Sequence, residues 1–356
     1  MIGKICIYAE RGLEMKPTIK DIASRTGFST ATVSLVLNKK DARISKETRE
    51  LILAEAEKMC YSADPTAVAL RTKRTFTLGV ILPDLRNDYY ACYAKGMEDY
   101  CQQNGWYLML CSSNNQPSRE RRYLEMLHNK GVDGISLALA SDTVETPSPS
   151  KANIDLLMSY NIPVVVQDMT FFRPRMNAVM FDHEYSGRLL AEHMLELGHR
   201  KIAVITGNQR LEGAKSLFHG VEKTIQEHGL SLDPALVYEG DFKYETGIKA
   251  VEAFGNADYS AIIAANDTMA YGAIYALKLR GKRVPEDVSV SGHDDIAASS
   301  QYGLSLTTVH VPTYEMGCES ARILIAAAGV QKSCFTKASF EVELMVRDST
   351  APYKEP

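Results

Sequence analysis

The sequence predicts a small all-α head followed by a larger α/β body of two lobes. The first observation is charge: residues 15–74 carry 12 Lys and Arg against 7 Asp and Glu, a balance of +5. The whole chain is −4 and residues 1–14 are neutral, so residues 75–356 carry −9. The second observation is a pair of short capped helices around a glycine turn. The third is a repeated alternation of apolar runs and helix-like stretches after residue 75, which is typical of parallel sheets covered on both faces.

Composition excludes several classes of protein. The chain has 356 residues, 45% hydrophobic and 24% charged, which is enough for two or three domains. No apolar run approaches the ~18 residues of a membrane span, so no membrane partner is expected. Seven scattered cysteines without a C-x-x-C pair favour a cytoplasmic protein without a disulfide framework or zinc site. Residues 1–14 lack the features of a secretory signal, and we expect a disordered extension or a misassigned start before Met15.

The head, residues 15–62, is predicted to be a helix-turn-helix followed by a third helix. Thr18 and Asp21 form a capping box, Gly27 ends the first helix, and Ser29 and Ser45 are N-cap candidates for the next two. Apolar residues at helical spacing predict a shared core: Ile19, Ile22, Ala23, Val33, Val36, Leu37, Leu51, Ile52, Ala56 and Met59.

The second helix directs small and hydroxyl side chains away from this predicted core. These residues are Thr30, Ala31, Thr32, Ser34 and Leu35. The placement suits a recognition helix, whose N-terminal side chains contact base edges in the major groove. The positive charge of the head agrees with a polyanionic partner, double-stranded DNA. The alternative from the residues alone is a three-helix bundle that binds another protein.

Two stretches of sequence carry a family resemblance. TIKDIASRTGFSTATVSLVLN and ISKETRELILAEAEKMCYSADPTAVALRTKRTFTLGVILPD resemble the DNA-binding head, hinge and first body strand of the lactose-repressor/galactose-repressor (LacI/GalR) transcription factors. The resemblance extends from about Lys16 to Arg347. It implies base contacts from Thr30, Ala31 and Leu35. It also implies phosphate contacts from a set of polar residues, namely Thr18, Ser29, Thr32, Ser34 and Asn38.

Leu35 departs from the polar or basic residue that is frequent at this position in the family. An apolar side chain can contact a thymine methyl group but cannot donate a hydrogen bond to guanine. We therefore expect an operator preference that differs from that of arginine-bearing relatives.

Residues 63–75 connect the head to the body. The residues alone are compatible with a plain linker. The resemblance implies instead a hinge helix that folds on DNA, with Leu70 wedged between base pairs in the minor groove and with Arg71 and Lys73 contacting the DNA. Val68-Ala69 stands where relatives commonly have Arg and Ser, which weakens the contacts expected there.

The body, residues 76–347, repeats the strand and helix alternation in two halves, and residues 348–356 form a short tail without leucine heptads. Helices are predicted over residues 90–103, 119–129, 153–160 and 185–197. Ligands of open α/β sheets bind beyond the carboxyl ends of strands. The polar residues there are Asp84, Gln167, Asp168, Asp182, Asn266, Asp267, His293, Asp294 and Asp295. They could bind a polyol, hold a metal, catalyse a reaction or cap helices, and the cap interpretation is strongest for Asp267.

The segments IPVVVQD, LELGHRKIAVITG, GDFKYETG, AANDTMAYGA, VPEDVSVSGHDD and SLTTVHVPTYEMG resemble the two-lobed periplasmic-binding-protein-like (type I) effector domain of the same family. The resemblance implies an effector pocket lined by Tyr89, Tyr90, Asp168, Phe242, His293 and Asp294. Asp294 would accept hydrogen bonds from ligand hydroxyls or amines, and Phe242 would offer a stacking face. Tyr89 and Tyr90 could equally be core residues on a helix face.

Two positions of the body depart from the family pattern. Leu217 stands where relatives usually have the arginine of an R-x-x-G-F pattern, which removes a fork of hydrogen-bond donors for sugar hydroxyls or carboxylates. His293 stands where an aromatic residue is usual. Arg210 and Lys215 lie close enough in sequence to replace the missing arginine.

The sequence therefore predicts a cytoplasmic, homodimeric regulator that represses a carbohydrate-utilisation operon. A twofold dimer would bind a pseudo-palindromic operator and respond to a sugar or sugar derivative between the lobes. No nucleotide, hydrolase or metalloprotease motif occurs, so neither a cofactor nor a metal is expected. The alternatives are a two-lobed solute-binding protein, which leaves the basic head unexplained, and a sugar-active enzyme that uses the carboxylates at the strand ends.

Overall fold

The computed structural model describes residues 17–38, 43–62, 69, 72–139, 149–167, 176–301, 303–328 and 335–354. The chain divides into two compact units, Met1–Thr75 and Phe76–Pro356. The expected contacts of Leu70, Arg71 and Asp168, like the extension before Met15, lie outside the described residues.

The helices of the described residues are α1 (Ile19–Thr26), α2 (Thr30–Leu37), α3 (Lys46–Lys58), α4 (Asp88–Gln103), α5 (Pro117–Lys130), α6 (Pro149–Ser159), α7 (His183–Glu196), α8 (Glu212–Glu227), α9 (Tyr244–Phe254), α10 (Asp267–Leu279), α11 (Ala298–Gln301) and α12 (Thr313–Ala328). The strands are β1 (Thr77–Leu82), β2 (Tyr107–Ser112), β3 (Gly134–Leu137), β4 (Val164–Gln167), β5 (Asn177–Phe181), β6 (Ile202–Thr206), β7 (Val237–Glu239), β8 (Ala261–Ala264), β9 (Ser289–Ser291), β10 (Thr308–His310), β11 (Lys337–Phe340) and β12 (Glu343–Met345).

The head is the predicted three-helix unit. Its buried core is formed by side chains from all three helices, namely Ile22, Ala23, Val33, Val36, Ile52 and Ala56. Gly27 ends α1 with a φ of 74°, in the left-handed region that glycine adopts without strain. The prediction that Leu51 packs in this core is wrong, because its side chain is 51% exposed. Adjacent residues of a helix point about 100° apart, so Ile52 takes the inward position and Leu51 does not.

The body contains two parallel sheets, one in each lobe, as the alternating pattern predicts. The sheet of lobe 1 has the strand order β11-β5-β4-β3-β1-β2, and the sheet of lobe 2 has the order β7-β6-β8-β9. All pairings in both sheets are parallel. A short antiparallel pair, β10 with β12, belongs to lobe 2.

The chain passes between the lobes three times. It leaves lobe 1 after β5, returns after β10 to form α12 and β11, and leaves again before β12. Helix α12 packs on α4 and on the strands of lobe 1, although in sequence it directly follows β10 of lobe 2. Neither α12 nor the pairing of β11 with β5 was predicted from the sequence, because both depend on contacts between residues far apart along the chain.

Four body helices begin two to four residues before their predicted first residues. Polar caps account for two of these differences, since the Asn87 and Asp182 side chains accept hydrogen bonds from the amides of Tyr89 and Tyr185. Asp182 is therefore a helix cap, one of the roles expected for the polar residues at strand ends.

Paired glycines bring three pairs of body helices into close contact. A Cβ atom on Gly187 of α7 would lie 2.1 Å from the carbonyl oxygen of Leu217, and one on Gly220 of α8 would lie 2.0 Å from that of Glu184. The same reciprocal arrangement joins α4 to α12 through Gly96 and Gly317. It also joins α9 to α10. These crossings fix the helices that carry the walls of the cleft.

The segment after Arg347 is packed against lobe 2 rather than extending from it. Ser349 is fully buried and donates a hydrogen bond to the carbonyl of Val290. The amide of Tyr353 donates to the carbonyl of Leu197. Residues 349–353 therefore form part of the lobe 2 fold. None of the described helices is long and apolar enough to cross a lipid bilayer.

Candidate effector cleft and DNA-binding head

A cavity of about 330 Å³ lies between the two lobes of the body. Lobe 1 contributes the ends of β1, β3, β4 and β5 and the start of α4, whereas lobe 2 contributes α8, the β7–α9 loop, and the segments after β8 and β9. The walls therefore come from the carboxyl ends of strands in both sheets, where open α/β sheets bind ligands.

Aromatic rings from both lobes line this cavity. Tyr89 and Tyr90 of α4 stand edge to face, with ring centroids 5.2 Å apart. On the opposite lobe, the ring of Phe242 packs on Gly207, where a Cβ atom would lie 2.2 Å from its Cζ atom. Phe242 also adopts a φ of 66°, in the left-handed region that non-glycine residues rarely occupy. The uncommon backbone conformation and the contact with a glycine together fix the position of the Phe242 ring.

Tyr89 serves both the core and the cavity, so its two alternative interpretations both apply. The residue is 8% exposed and belongs to the core of lobe 1, yet it lines the cavity. Its hydroxyl accepts a hydrogen bond of 3.0 Å from Nε2 of Gln167, the last residue of β4. The other amide atom, Oε1 of Gln167, is buried and has no hydrogen-bond partner among the described residues. A buried acceptor that faces a cavity is suited to a hydrogen-bond donor on a ligand.

A second polar group lies at the inner end of the cavity in lobe 2. Nδ1 of His293 lies 3.0 Å from Oδ1 of Asp294, and both side chains are nearly buried. The His293 ring stacks against Phe181 with centroids 5.8 Å apart, and His183 packs on the same phenylalanine at 4.0 Å. Asp294 has a φ of 109°, so its carboxylate is presented by an unusual backbone conformation.

Asp267 does not cap α10, contrary to the interpretation favoured by the sequence. Asn266 is the cap, and its side chain accepts a hydrogen bond of 2.9 Å from the amide of Met269. The fully buried Asp267 carboxylate accepts hydrogen bonds from Thr308 and Ser299 instead. Burial and the neighbouring Asp294 carboxylate raise the pKa of Asp267 to about 7. Asn266 directly precedes Asp267, and asparagine and aspartate are equally favourable N-cap residues, so the sequence does not distinguish between them.

The mouth of the cavity carries ion pairs on both lobes. Arg86 binds Asp84 in lobe 1 at 2.7 Å, and Lys243 binds Asp241 in lobe 2. The hydrogen bond from Arg86 holds the pKa of Asp84 below its ordinary value. The two cations are exposed to solvent, and each lies beside a carboxylate of its own lobe.

Leu217 lines the cavity as an apolar wall, at the position where the family pattern has arginine. Of the two suggested replacements, Arg210 lines the cavity and Lys215 is not among its lining residues. Arg210 is exposed and lies at the loop before α8, so its guanidinium is not a buried group.

Five of the six residues expected in the effector pocket line one cavity: Tyr89, Tyr90, Phe242, His293 and Asp294. Sequence reasoning missed Phe181, His183 and Glu212, which also line it. Phe181 and His183 flank Asp182, which was a candidate because it follows a strand. Their position next to this candidate is the feature of the sequence that could have identified them.

In the head, α2 presents Thr30 and Ala31 to solvent at its first turn, while Thr32, Ser34 and Leu35 are half-buried. Leu35 does not belong to the helical core. Ser29 caps α2, with its hydroxyl 3.1 Å from the amide of Thr32.

The remaining polar residues expected at DNA make local hydrogen bonds in the head. Asn38 donates a hydrogen bond of 2.6 Å to the carbonyl of Ser34, and the Thr18 hydroxyl donates to Asp21. Lys73 is exposed. The amino-terminal end of α2 thus offers a short, accessible face of small and hydroxyl side chains.

A capped three-helix head and a two-lobed body with a ring-lined cleft are the architecture of a DNA-binding regulator with a ligand-binding domain. Comparison with known proteins gives the family. Residues 18–64 match "Bacterial regulatory proteins, lacI family", and residues 75–338 match "Periplasmic binding proteins and sugar binding domain of LacI family". The chain belongs to the LacI family of transcriptional regulators.

Individual relatives agree with this assignment. The chain is 35% identical to the HTH-type transcriptional repressor PurR of Haemophilus influenzae (strain PittEE), over 93% of this chain and 98% of that protein. It is 32% identical to the HTH-type transcriptional regulator DegA of Bacillus subtilis (strain 168), over 95% and 99%. The chain is thus a DNA-binding transcriptional repressor with a ligand-binding domain, and its relatives are repressors rather than enzymes.

Solved structures show the same architecture. The lac repressor dimer bound to operator and the anti-inducer ONPF superposes with a TM-score of 0.82 at 26% identity, covering 95% of this chain and all of that one. The complex of the transcriptional regulator CelR with cellobiose superposes with a TM-score of 0.69 at 28% identity, covering 94% of this chain and all of that one. A LacI family regulator from Enterococcus faecium with bound ribose gives 0.70 at 26% identity, covering 78% and 100%.

Proposed function

We propose that this repressor acts in the cytoplasm as a homodimer on a pseudo-palindromic operator of a carbohydrate-utilisation operon. A twofold dimer presents two copies of α2 to successive major-groove half-sites. Thr30 and Ala31 are exposed at the first turn of α2, which supports base contacts from these positions. The +5 balance of residues 15–74 supports phosphate contacts.

The effector we propose is a sugar or sugar derivative bound in the cleft. The observation that carries this proposal is the cavity itself, which is lined by rings from both lobes and by two oxygen acceptors, the buried Gln167 amide oxygen and the nearly buried Asp294 carboxylate. Rings pack on the apolar faces of sugars, and carboxylate or amide oxygens accept hydrogen bonds from their hydroxyls. The cellobiose and ribose bound by two structurally similar regulators support the same class.

A flat heterocycle is the second candidate effector. Leu217 provides an apolar wall in the cleft, and Tyr90 and Phe242 offer ring faces from opposite lobes. A planar ring between two aromatic faces would use these surfaces fully, and the Gln167 amide would bind its polar edge.

Control of DNA binding follows from the position of the cleft. A ligand that contacts both lobes favours one angle between them over another. In a dimer this changes how the two hinge segments meet, and thereby the fraction of protein that is competent to bind DNA. The coupling works in both directions, so the operator alters effector affinity by the same factor.

The test has two arms that use full-length protein. The first selects operators from a random DNA library and measures the affinity of the selected site; we expect saturable binding to an inverted repeat. The second screens sugars, sugar derivatives and nucleobases by thermal shift, where a ligand at 100 times its Kd adds roughly 2.7 kcal/mol. Selection of no inverted repeat would contradict operator binding, and stabilisation only by nucleobases would replace the sugar with the heterocycle.

A further inference from the structure

The charge of the cleft discriminates among possible ligands. Among the described residues, five carboxylates and three permanent cations line the cavity, which gives these residues a net charge of −2 when both histidines are neutral. The carboxylates belong to Asp84, Glu212, Asp241, Glu245 and Asp294, and the cations to Arg86, Arg210 and Lys243. A cavity lined by an excess of one sign attracts ligands of the opposite sign and repels those of the same sign.

The cations of the cavity lie at its solvent-exposed mouth. Arg86 and Lys243 are each bound to a carboxylate of their own lobe, and their side chains are 80% and 53% exposed. Arg210 is exposed as well. A phosphate or carboxylate deep in the cavity would therefore meet no buried guanidinium or ammonium group among the described residues.

Two polar groups of the inner wall, the Gln167 amide oxygen and the Asp294 carboxylate, accept hydrogen bonds. Oε1 of Gln167 is buried without a partner among the described residues, and the Asp294 side chain is 11% exposed. Behind Asp294 lies the fully buried carboxyl of Asp267, whose pKa is raised in part by the Asp294 charge. The field at this end of the cavity is therefore negative, and a ligand that fits it must bring hydrogen-bond donors.

We infer that the cleft selects a donor-rich ligand that is uncharged or positively charged, and that Asp294 excludes anionic metabolites such as phosphorylated or carboxylated sugars. This inference rests on the proposed cleft and narrows the class of effector. The cleft would bind free sugars, amino sugars and neutral heterocycles, and it would exclude their phosphate esters and acids.

A direct test measures the potential in the cavity without knowledge of the effector. Thr268 lines the cavity, and Thr268→Cys places a thiol there. Its rates of modification by the cationic reagent MTSET and the anionic reagent MTSES are compared by peptide mass spectrometry, which separates this thiol from the natural cysteines. The matched control is Ala253→Cys, on the exposed face of α9. We expect the ratio of cationic to anionic rate to be about tenfold larger at position 268 than at position 253.

The role of Asp294 is tested by Asp294→Asn in the Thr268→Cys protein. Asparagine keeps the shape and tolerates the positive φ, so the fold is expected to persist. The rate ratio should fall about fivefold, whereas Glu252→Gln, on the exposed face of α9 and outside the cavity lining, should change it less than twofold. If Thr268→Cys impairs folding, Leu139→Cys on the lobe 1 wall, at a half-buried position without a positive φ, supplies the thiol.

A faster anionic than cationic rate in the cleft, or an unchanged ratio in Asp294→Asn, would overturn the inference. The effector screen adds a second criterion, because ribose and glucosamine are compared there with ribose 5-phosphate and glucosamine 6-phosphate. Stabilisation of the wild-type protein by a phosphate ester but not by its parent sugar would also overturn it. The thiol measurement involves no DNA and no effector, so its failure is distinguishable from failure of the proposed function.

Discussion

The head and the body present their candidate recognition residues in different ways. In the head, Thr30 and Ala31 are neighbours on one exposed helix whose cap, Ser29, directly precedes them. In the body, Tyr90 and Phe242 face one cavity although about 150 residues separate them in sequence. The α2 surface depends only on the packing of three short helices within the head. A cavity depends on the packing of two lobes, so we expect substitutions in the body to affect stability and ligand binding together.

The largest effect is expected at a helix crossing of the body. In Gly220→Ala the new Cβ would lie 2.0 Å from the carbonyl oxygen of Glu184, so α7 and α8 must separate. Alanine raises helix propensity by about 1 kcal/mol, but overpacking against a backbone atom costs about 3 kcal/mol or more. Urea denaturation should show a net loss of at least about 2 kcal/mol. His219→Ala, at an exposed position of the same helix, is the control, and equal stability of the two variants would show that the crossing is not tight.

The next effect is expected in the cleft. Phe242→Ala removes the ring that packs on Gly207, and the loss of buried aromatic area should weaken effector binding by about 2 kcal/mol, or roughly 30-fold. Isothermal titration with the ligand found in the screen measures this change. Operator affinity without ligand should change less than twofold, and a larger change would mean that the ring acts on DNA binding by itself.

Substitutions on the α2 surface should change DNA binding and leave effector binding unaffected, the reverse of the effect expected for Phe242→Ala. Thr30→Ala together with Leu35→Ala should change the free-energy difference between operator variants by about 1–2 kcal/mol and leave effector affinity unchanged.

Lys73→Ala, in contrast, should weaken binding to all DNA sequences alike and reduce the slope of log K against log salt by about 0.9. Competitive binding to a set of operator variants checks both results. An unchanged preference in the double variant would exclude α2 as the reading helix.

The smallest effect is expected on the pH dependence of the stability of the body, and it arises from a cluster of polar side chains. Asp295 binds His310 at 3.0 Å and Arg347 at 2.7 Å, and the hydrogen bond to Asp295 raises the pKa of His310. Glu315 and Glu343 act in the same direction. Because the folded pKa is raised, this stabilisation is complete below the unfolded pKa of about 6.5 and is lost as pH rises through the folded value.

His310 is 45% exposed, so the stabilisation should be under about 1 kcal/mol. Between pH 6 and pH 8 the wild-type protein should lose this amount relative to His310→Gln, as measured by urea denaturation at each pH. Parallel pH profiles of the two proteins would contradict the assignment.

The head was predictable from sequence because its determinants are local. Ser29, Gly27 and the spacing of Val33 and Val36 define the helices and their shared core within a short segment. Leu51 was placed wrongly because two adjacent leucine or isoleucine residues leave the inward position ambiguous. Only the packed structure decides between them.

The cleft was predictable only in part. Family resemblance indicated Tyr89, Tyr90, Phe242, His293 and Asp294, and the cavity brings all five together. Gln167 was expected as a polar strand-end residue, but its hydrogen bond to Tyr89 and the burial of Asp267 behind the cavity were not predicted, since both depend on contacts across the fold. The charge of the cavity also depends on which cations reach its interior, and no local pattern records that.

The central claim is that a ligand in the body cleft controls DNA binding by the head. The most direct measurement is the Kd of the selected operator, by fluorescence anisotropy, as the screened ligand is added to the wild-type protein and to Phe242→Ala. The account predicts a change of about 5- to 150-fold in the wild-type Kd, and in the variant the same change only at roughly 30-fold higher ligand concentration. A wild-type Kd that does not respond to a ligand that binds the body, or an identical response in the variant, would contradict it.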